Sequence, residues 1–177
     1  MHVSTILFSL MAVAVSAKPV KYTIPSSLKA ASASNCTLPG KYIVSNFTQY
    51  MNSEDGTKNT TSFHYEDPDT GISTNCSSDA SSTPTGAAGN RWPCENPNVE
   101  FIYQTTNIAG LTVVEVACPG SKPQFEASDL VDLSVDCEDI DSATTCTQMG
   151  GPVNGEFDSL EPTPQSPPPS SRRRRAH

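Results

Sequence analysis

The chain has 177 residues, of which 36% are hydrophobic, and its formal net charge at pH 7 is −8. Such an acidic protein does not attract nucleic acid or anionic lipid by charge, so we expect neither a nucleic-acid partner nor a membrane partner. The low apolar content predicts a modest core that needs covalent crosslinks.

The first 17 residues are typical of a secretory signal peptide. The run MHVSTILFSLMAVAVSA is apolar and ends in small residues. It is shorter than the roughly 20 residues that a membrane-spanning helix needs. We predict cleavage between Ala17 and Lys18 and a secreted, extracellular protein. Residues 18–34 are small, polar and aperiodic, and they are predicted to form a flexible arm.

All six cysteines follow the predicted cleavage point: Cys36, Cys76, Cys94, Cys118, Cys137 and Cys146. An even number in an exported chain argues for three disulfides and leaves their pairing open. A zinc site is the alternative, but the chain has no Cys-x-x-Cys motif. We therefore expect no metal and no cofactor.

Residues 35–158 carry the pattern of a β-sheet domain. A first strand is predicted over Tyr42 to Tyr50. The stretch NTTSFHYED then alternates between two faces, DPDTG predicts a turn, and ISTNCSS returns antiparallel. A Cys76–Cys94 bond would close the polar loop that follows this hairpin.

The segments NVEFIYQTT and LTVVEVAC predict a second hairpin, in which Val114, Val116 and Cys118 share one face. A regular alternation from Val131 to Cys137 predicts one further strand. No helical periodicity longer than two turns follows the signal peptide. The predicted fold is all-β, a small antiparallel β-barrel or sandwich stapled by disulfides.

Residues 159–177 include EPTPQSPPPSSRRRRAH, which has nothing to bury and is predicted to be a disordered tail rich in Pro, Ser and Arg. The run from Arg172 to Arg175 is either a processing site for a secretory protease or part of this disorder.

The order of several motifs resembles the secreted major-allergen family of Alternaria and related fungi, which includes elicitors of plant hypersensitive responses. A strand with Tyr42, Val44, Ser45 and Phe47 is followed by an aromatic strand, Cys76, a Trp-x-Cys motif and a late cysteine pair. The resemblance covers roughly Cys36 to Cys146.

The resemblance implies a β-barrel without an established catalytic centre, and the disulfides Cys76–Cys94 and Cys137–Cys146. Cys36 and Cys118 then remain as a third pair. The implied partners are a host extracellular protein or a small phenolic ligand. Some members form homodimers through an N-terminal cysteine, and here Cys118 is an alternative partner for Cys36, so a homodimer stays open.

Four sequons make this a candidate glycoprotein, with acceptors at Asn35, Asn46, Asn59 and Asn75. Asn59 is favoured because it falls in a predicted loop. Asn35 and Asn75 each precede a cysteine, where disulfide formation competes with glycan transfer.

The other candidate residues each have an ordinary structural alternative. Trp92 either covers the Cys76–Cys94 bond or stacks on a ligand. His64 either acts in acid–base chemistry or is solvated on a polar face. Glu100 and Glu115 fall on neighbouring predicted strands, and a glycosidase needs two carboxyls facing one cleft. The acidic cluster Asp136, Glu138, Asp139 and Asp141 is either a calcium site or a solvated loop.

We therefore predict a secreted fungal effector or allergen-like protein that is not an enzyme. We expect it to act by surface recognition of plant host proteins or small ligands and to be able to elicit defence. The alternative is a secreted carbohydrate-binding module or glycoside hydrolase.

Overall fold

A computed structural model describes residues 20–32, 36–86, 89–104 and 110–163. The signal peptide with its cleavage site, the Asn35 sequon and the run from Arg172 to Arg175 lie outside these ranges. One α-helix, α1, is followed by eleven strands, with bounds α1 Ser26–Ser32, β1 Lys41–Asn52, β2 Thr60–Asp67, β3 Ile72–Ser78, β4 Trp92–Pro93, β5 Val99–Gln104, β6 Gly110–Ala117, β7 Phe125–Val131, β8 Val135–Ile140, β9 Ala143–Gln148, β10 Val153–Glu156 and β11 Ser159–Pro162.

The strands form two antiparallel sheets. The first has the order β3-β2-β1-β9-β8, with β10 also pairing with β1, and the second has the order β11-β7-β6-β5-β4. An isolated bridge between Cys76 and Cys94 joins the β3 edge to the β4 edge. The all-β prediction is confirmed. Of the two architectures offered, the sandwich fits, because the sheets do not close into a barrel within the described ranges.

The core lies between the inner faces of the two sheets. The first sheet contributes Tyr42, Val44, Phe47, Phe63 and Tyr65, and the second contributes Val99, Phe101, Leu111, Val113 and Ala127. The rings of Phe63 and Phe101 meet edge to face with centroids 5.0 Å apart, the geometry that aromatic quadrupoles favour.

The predicted central hairpin is confirmed. Strands β2 and β3 pair in antiparallel register from Thr61↔Ser78 to Asp67↔Ile72. Thr61, Phe63 and Tyr65 are buried, as the period of two predicted. Gly71 closes the turn with φ of 74°, which only glycine adopts without strain.

Strand β6 turns the face opposite Val114 and Val116 toward the core. The strand packs against the core with Leu111, Val113, Glu115 and Ala117, rather than with the face that carries Val116. Apolar residues occupy both faces of LTVVEVA, so the neighbouring strands decide which face turns inward.

The prediction of a single strand from Val131 to Cys137 is wrong. Strand β7 ends at Val131, β8 begins at Val135, and the two strands belong to different sheets. The alternation therefore continues across a crossover between layers.

The segment of residues 18–34, which was predicted to be a flexible arm, is partly helical and packs on the sandwich. It contains α1, whose Leu28 is 1% exposed and packs with Ala117, Cys118 and Phe125. Before the helix, the Tyr22 hydroxyl donates to the Pro39 carbonyl oxygen. Burial of these two side chains holds the segment on the sandwich.

The structure pairs Cys36 with Cys118, Cys76 with Cys94, and Cys137 with Cys146. The first of these bonds ties the N-terminal segment to the end of β6. The second ties the two sheet edges together, and the third crosses the β8–β9 hairpin at directly opposed positions.

The predicted disordered tail begins too early. Residues Ser159–Pro162 form β11, which pairs with β7, and Leu160 packs against the core. The Ser128 and Ser159 hydroxyls hydrogen bond at 2.7 Å. Because Leu160 is the one residue of β11 that packs against the core, the sequence of this edge strand contains no apolar pattern that would predict it.

We expect two truncated chains to distinguish the contribution of β11 to stability from that of the residues after it. A chain that ends at Asp158 loses the Leu160 contact and the ladder to β7, so its melting temperature should fall by about 4 °C or more. A chain that ends at Thr163 keeps both and loses only residues with nothing apolar to bury, so it should melt within about 2 °C of the parent. Calorimetry of the two chains checks this, and equal melting temperatures would show that β11 adds nothing.

Candidate functional site

The most unusual group in the molecule is a carboxyl inside the sandwich. Strand β6 places Glu115 on its inward face, where the residue has no exposed surface. The Tyr65 hydroxyl donates to Glu115 Oε2 at 2.5 Å. The Thr70 hydroxyl and the Asp67 carboxyl also interact with the Glu115 carboxyl, so polar groups surround it inside the sandwich.

A second buried carboxyl belongs to Asp67, at the end of β2. Its Oδ1 accepts the backbone N–H groups of Asp69 and Thr70 at 2.6 and 3.0 Å, which shapes the turn into β3. Its carboxyl also interacts with Glu115, and only 1% of the residue is exposed. Burial raises the pKa of Asp67.

The charge of Asp67 affects the protonation of Glu115. Burial, followed by the negative charge of Asp67, raises the pKa of Glu115 to about 7, against an ordinary 4.5, although the hydrogen bond from Tyr65 opposes the shift. Burial and Glu115 in turn raise the pKa of Tyr65, so Tyr65 stays a donor. Near neutral pH, Glu115 therefore exchanges between the acid and the carboxylate.

A cavity of about 640 Å³ lies beside this cluster. Its lining includes Glu115 and Thr70, together with Asn96 and Asn98 from the connection between β4 and β5. The Cys36–Cys118 disulfide and residues 119–121 also line it. The site thus joins the ends of several strands, and we name it the carboxyl cavity.

The predicted carboxylate pair of Glu100 and Glu115 does not share a face. Glu115 lies opposite Val99, whereas Glu100 lies opposite Val114, and opposed residues on paired strands point to the same side. Glu115 therefore points inward and Glu100 outward. Glu100 accepts from the Thr85 hydroxyl at 2.6 Å and lies 3.4 Å from the Arg91 guanidinium. This geometry contradicts a glycosidase centre made of these two residues.

His64 lies half-buried on the outer face of β2. Its Nδ1 is 3.0 Å from Asn75 Oδ1, and its Nε2 is 3.2 Å from both Glu66 and Ser73. These partners place it in a surface hydrogen-bond network rather than in the carboxyl cavity.

The acidic cluster of Asp136, Glu138, Asp139 and Asp141 lies along β8 and its turn. Asp139 accepts from the Thr144 hydroxyl across the hairpin. Within the described ranges, no group of three or more His, Cys, Asp or Glu side chains has the arrangement of a metal site.

Trp92 lies half-buried on β4, directly opposite Phe101, and packs at the margin of the core that includes Cys76 and Cys94. It also lines a second concavity, of about 430 Å³, with Tyr103 and Gln49. The Tyr103 hydroxyl donates to Gln49 Oε1 at 2.8 Å. Trp92 is thus both a packing residue and part of a surface wall.

The three sequon asparagines within the described ranges are exposed. Asn46 has φ of 57° at a register shift in β1. Asn59 follows the short 3₁₀ helix Gly56–Lys58. Asn75 lies within β3, where its Nδ2 donates to Glu95 at 3.2 Å.

The sequence pattern did not single out Tyr65, Asp67 or Thr70 as site residues. It offered Glu115 only as the partner of Glu100 in a glycosidase pair or as an exposed acid. One signal was present: Glu115 interrupts the apolar run LTVVEVA. A charged residue in such a run either faces solvent or is buried with partners, and only the sheet register decides between them.

In the part of the chain that the structure describes, no helix has the length and apolar character needed to cross a bilayer.

Comparison with known proteins gave matches among solved structures alone. No family model matches the chain, and no curated protein matches it. One crystal structure of the Alternaria alternata allergen Alt a 1 is 17% identical with a TM-score of 0.48, over 72% of this chain and 92% of that one. Another, of the Alternaria alternata major allergen Alt a 1, is 17% identical with a TM-score of 0.46, over 71% and 96%. Both are structures of an allergen from Alternaria, the genus of the family that the sequence pattern resembles.

Proposed function

We propose that this chain is a secreted, effector-like or allergen-like recognition protein that binds a small host-derived ligand in the carboxyl cavity and catalyses no reaction. The observation that carries the proposal is a cavity of about 640 Å³ whose lining includes Glu115, a fully buried carboxyl with a raised pKa.

The cavity has the general character of a ligand site. Its volume lies within the roughly 300–1,000 Å³ that small-molecule sites occupy. Its walls combine the apolar Ile72 and a disulfide with the amides of Asn96 and Asn98. A perturbed titratable group beside such a cavity is a further mark of a functional site.

The position of Glu115 favours binding over hydrolysis. A raised pKa also suits a general acid, but a general acid must touch the bond that it protonates. Glu115 has no exposed surface, so it lies behind the wall that a ligand would touch. From there its charge favours ligands that carry hydrogen-bond donors or positive charge.

A variant that fills the cavity tests the proposal. Asn98→Trp places an indole where Asn98 now lines the wall, and Ser62→Trp adds the same group on the exposed face of β2 as a matched control. Each protein is incubated with the small-molecule fraction of plant apoplastic fluid and weighed by native mass spectrometry.

The parent and Ser62→Trp should retain a bound compound that Asn98→Trp loses. Absence of any bound compound on the parent would overturn the proposal. A compound held equally by all three proteins would overturn the proposal as well, because it would place recognition on another surface.

A further inference from the structure

We propose that Asn59 carries an N-linked glycan whose first sugar lies in the concavity beside Trp92, which we name the aromatic groove. The groove lies apart from the carboxyl cavity, and the inference goes beyond the proposed ligand binding. Its walls include Gln49, Asn59, Thr61, Trp92 and Tyr103.

The geometry of the Asn59 amide suits modification. Asn59 is exposed between the 3₁₀ helix and β2. Its Oδ1 accepts the Asn52 backbone N–H at 2.8 Å, which fixes the orientation of the amide. No hydrogen bond from Nδ2, the atom that takes the sugar, occurs within the described ranges. The chain is therefore able to carry the modification without losing a native contact.

The other described sequons lack this combination. At Asn75, Nδ2 donates to Glu95, and the next residue is the buried, disulfide-bonded Cys76. Asn46 is exposed but does not line the aromatic groove. Asn46 lines a different concavity, of about 300 Å³, that contains neither Trp92 nor Tyr103. Asn59 is the described acceptor that both presents a free amide nitrogen and lines the aromatic groove.

The chemistry of the aromatic groove fits a sugar. Trp92 and Tyr103 are both half-buried, so each leaves part of a ring uncovered. A pyranose has one apolar face, which packs on such a ring, and a polar edge, which needs hydrogen-bond partners. The groove supplies these from Ser78, Asp79 and Ser82. Because Asn59 is itself in the wall, the first sugar reaches the groove without a spacer.

The covalent step uses a lipid-linked oligosaccharyl pyrophosphate, supplied during secretion. The bond between the sugar C1 and the pyrophosphate oxygen breaks, and a bond between C1 and Asn59 Nδ2 forms. One amide proton is released, and the lipid pyrophosphate leaves with the electron pair.

Trp92 is the only tryptophan of the chain, so intrinsic fluorescence reports on the aromatic groove alone. The parent, Asn59→Gln and Asn46→Gln are secreted from yeast and compared by intact mass and by emission. Asn59→Gln should lose the mass of one glycan, shift Trp92 emission to longer wavelength and increase its quenching by acrylamide. Asn46→Gln should leave the emission unchanged whether or not its own glycan is lost.

Enzymatic trimming of the folded parent gives a second route that does not depend on a variant folding. An endoglycosidase that leaves the first sugar should leave the emission unchanged, whereas an amidase that removes it should cause the red shift. An unmodified Asn59 would overturn the proposal. So would identical emission with and without the first sugar. Neither result bears on the ligand test, because that test perturbs Asn98.

Discussion

Replacing Glu115 with Gln is expected to remove most of the pH dependence of stability between about pH 4.5 and 7. The folded protein holds the pKa of Glu115 near 7, against an ordinary 4.5. A group whose pKa is raised on folding binds its proton more tightly in the folded state. Its stabilisation is therefore complete below about pH 4.5, falls as the pH rises, and is lost above about pH 7. The difference corresponds to about 3 kcal/mol.

Gln is a close match for the protonated acid. Its carbonyl oxygen accepts from Tyr65, and its amide offers a donor to the neighbouring Asp67 carboxyl. The variant should therefore have nearly the same free energy of unfolding as the parent at pH 4. At pH 8 it should be more stable by about 3 kcal/mol.

Urea unfolding at both pH values measures this difference. Glu161→Gln, on the exposed edge strand β11, is the matched control and should follow the parent at each pH. It also corrects for the general loss of negative charge on acidification. A Glu115→Gln protein no more stable than the parent at pH 8 would show that Glu115 is not held as the acid.

The sequence predicted elements whose two faces differ in polarity. In β2, aromatic residues alternate with Ser and His, and the DPDTG turn contains the glycine that a φ of 74° requires. The hairpin was therefore predictable from local residues alone. In β6, Val114 and Val116 are as apolar as Val113, so local residues do not tell which face turns inward. The buried carboxyl followed from pairing with β5 and β7, which is long-range information.

Short apolar segments escaped prediction for a related reason. Leu28 in α1 and Leu160 in β11 each bury one side chain against a surface that other strands create. A single apolar residue among Ser, Pro and Ala has no periodicity to recognise. The break between Val131 and Val135 was missed for a different reason. The alternation of apolar and polar residues continues through the crossover, so the sequence gives no sign that one strand ends and another begins.

Truncating Phe101 is expected to destabilise the protein far more than truncating Trp92, although the two residues are cross-strand partners on one face. Phe101 has no exposed surface and meets Phe63 edge to face. Phe101→Ala would leave a closed cavity and lower the free energy of unfolding by about 3–5 kcal/mol. Trp92 is half-buried at the margin, where water or a sugar can fill the vacated space. Trp92→Ala should therefore cost only about 1–2 kcal/mol.

Denaturant unfolding of both variants at one pH shows whether the Trp92 indole lies at the margin of the core or forms part of it. Tyr103→Ala, another half-buried residue of the aromatic groove, provides the reference for a loss at the margin. Equal losses for Phe101→Ala and Trp92→Ala would mean that Trp92 seals the core beside the Cys76–Cys94 bond, and the aromatic groove would then be no binding surface. A small loss for Trp92→Ala leaves the ring available, which is the condition that docking of the Asn59 glycan requires.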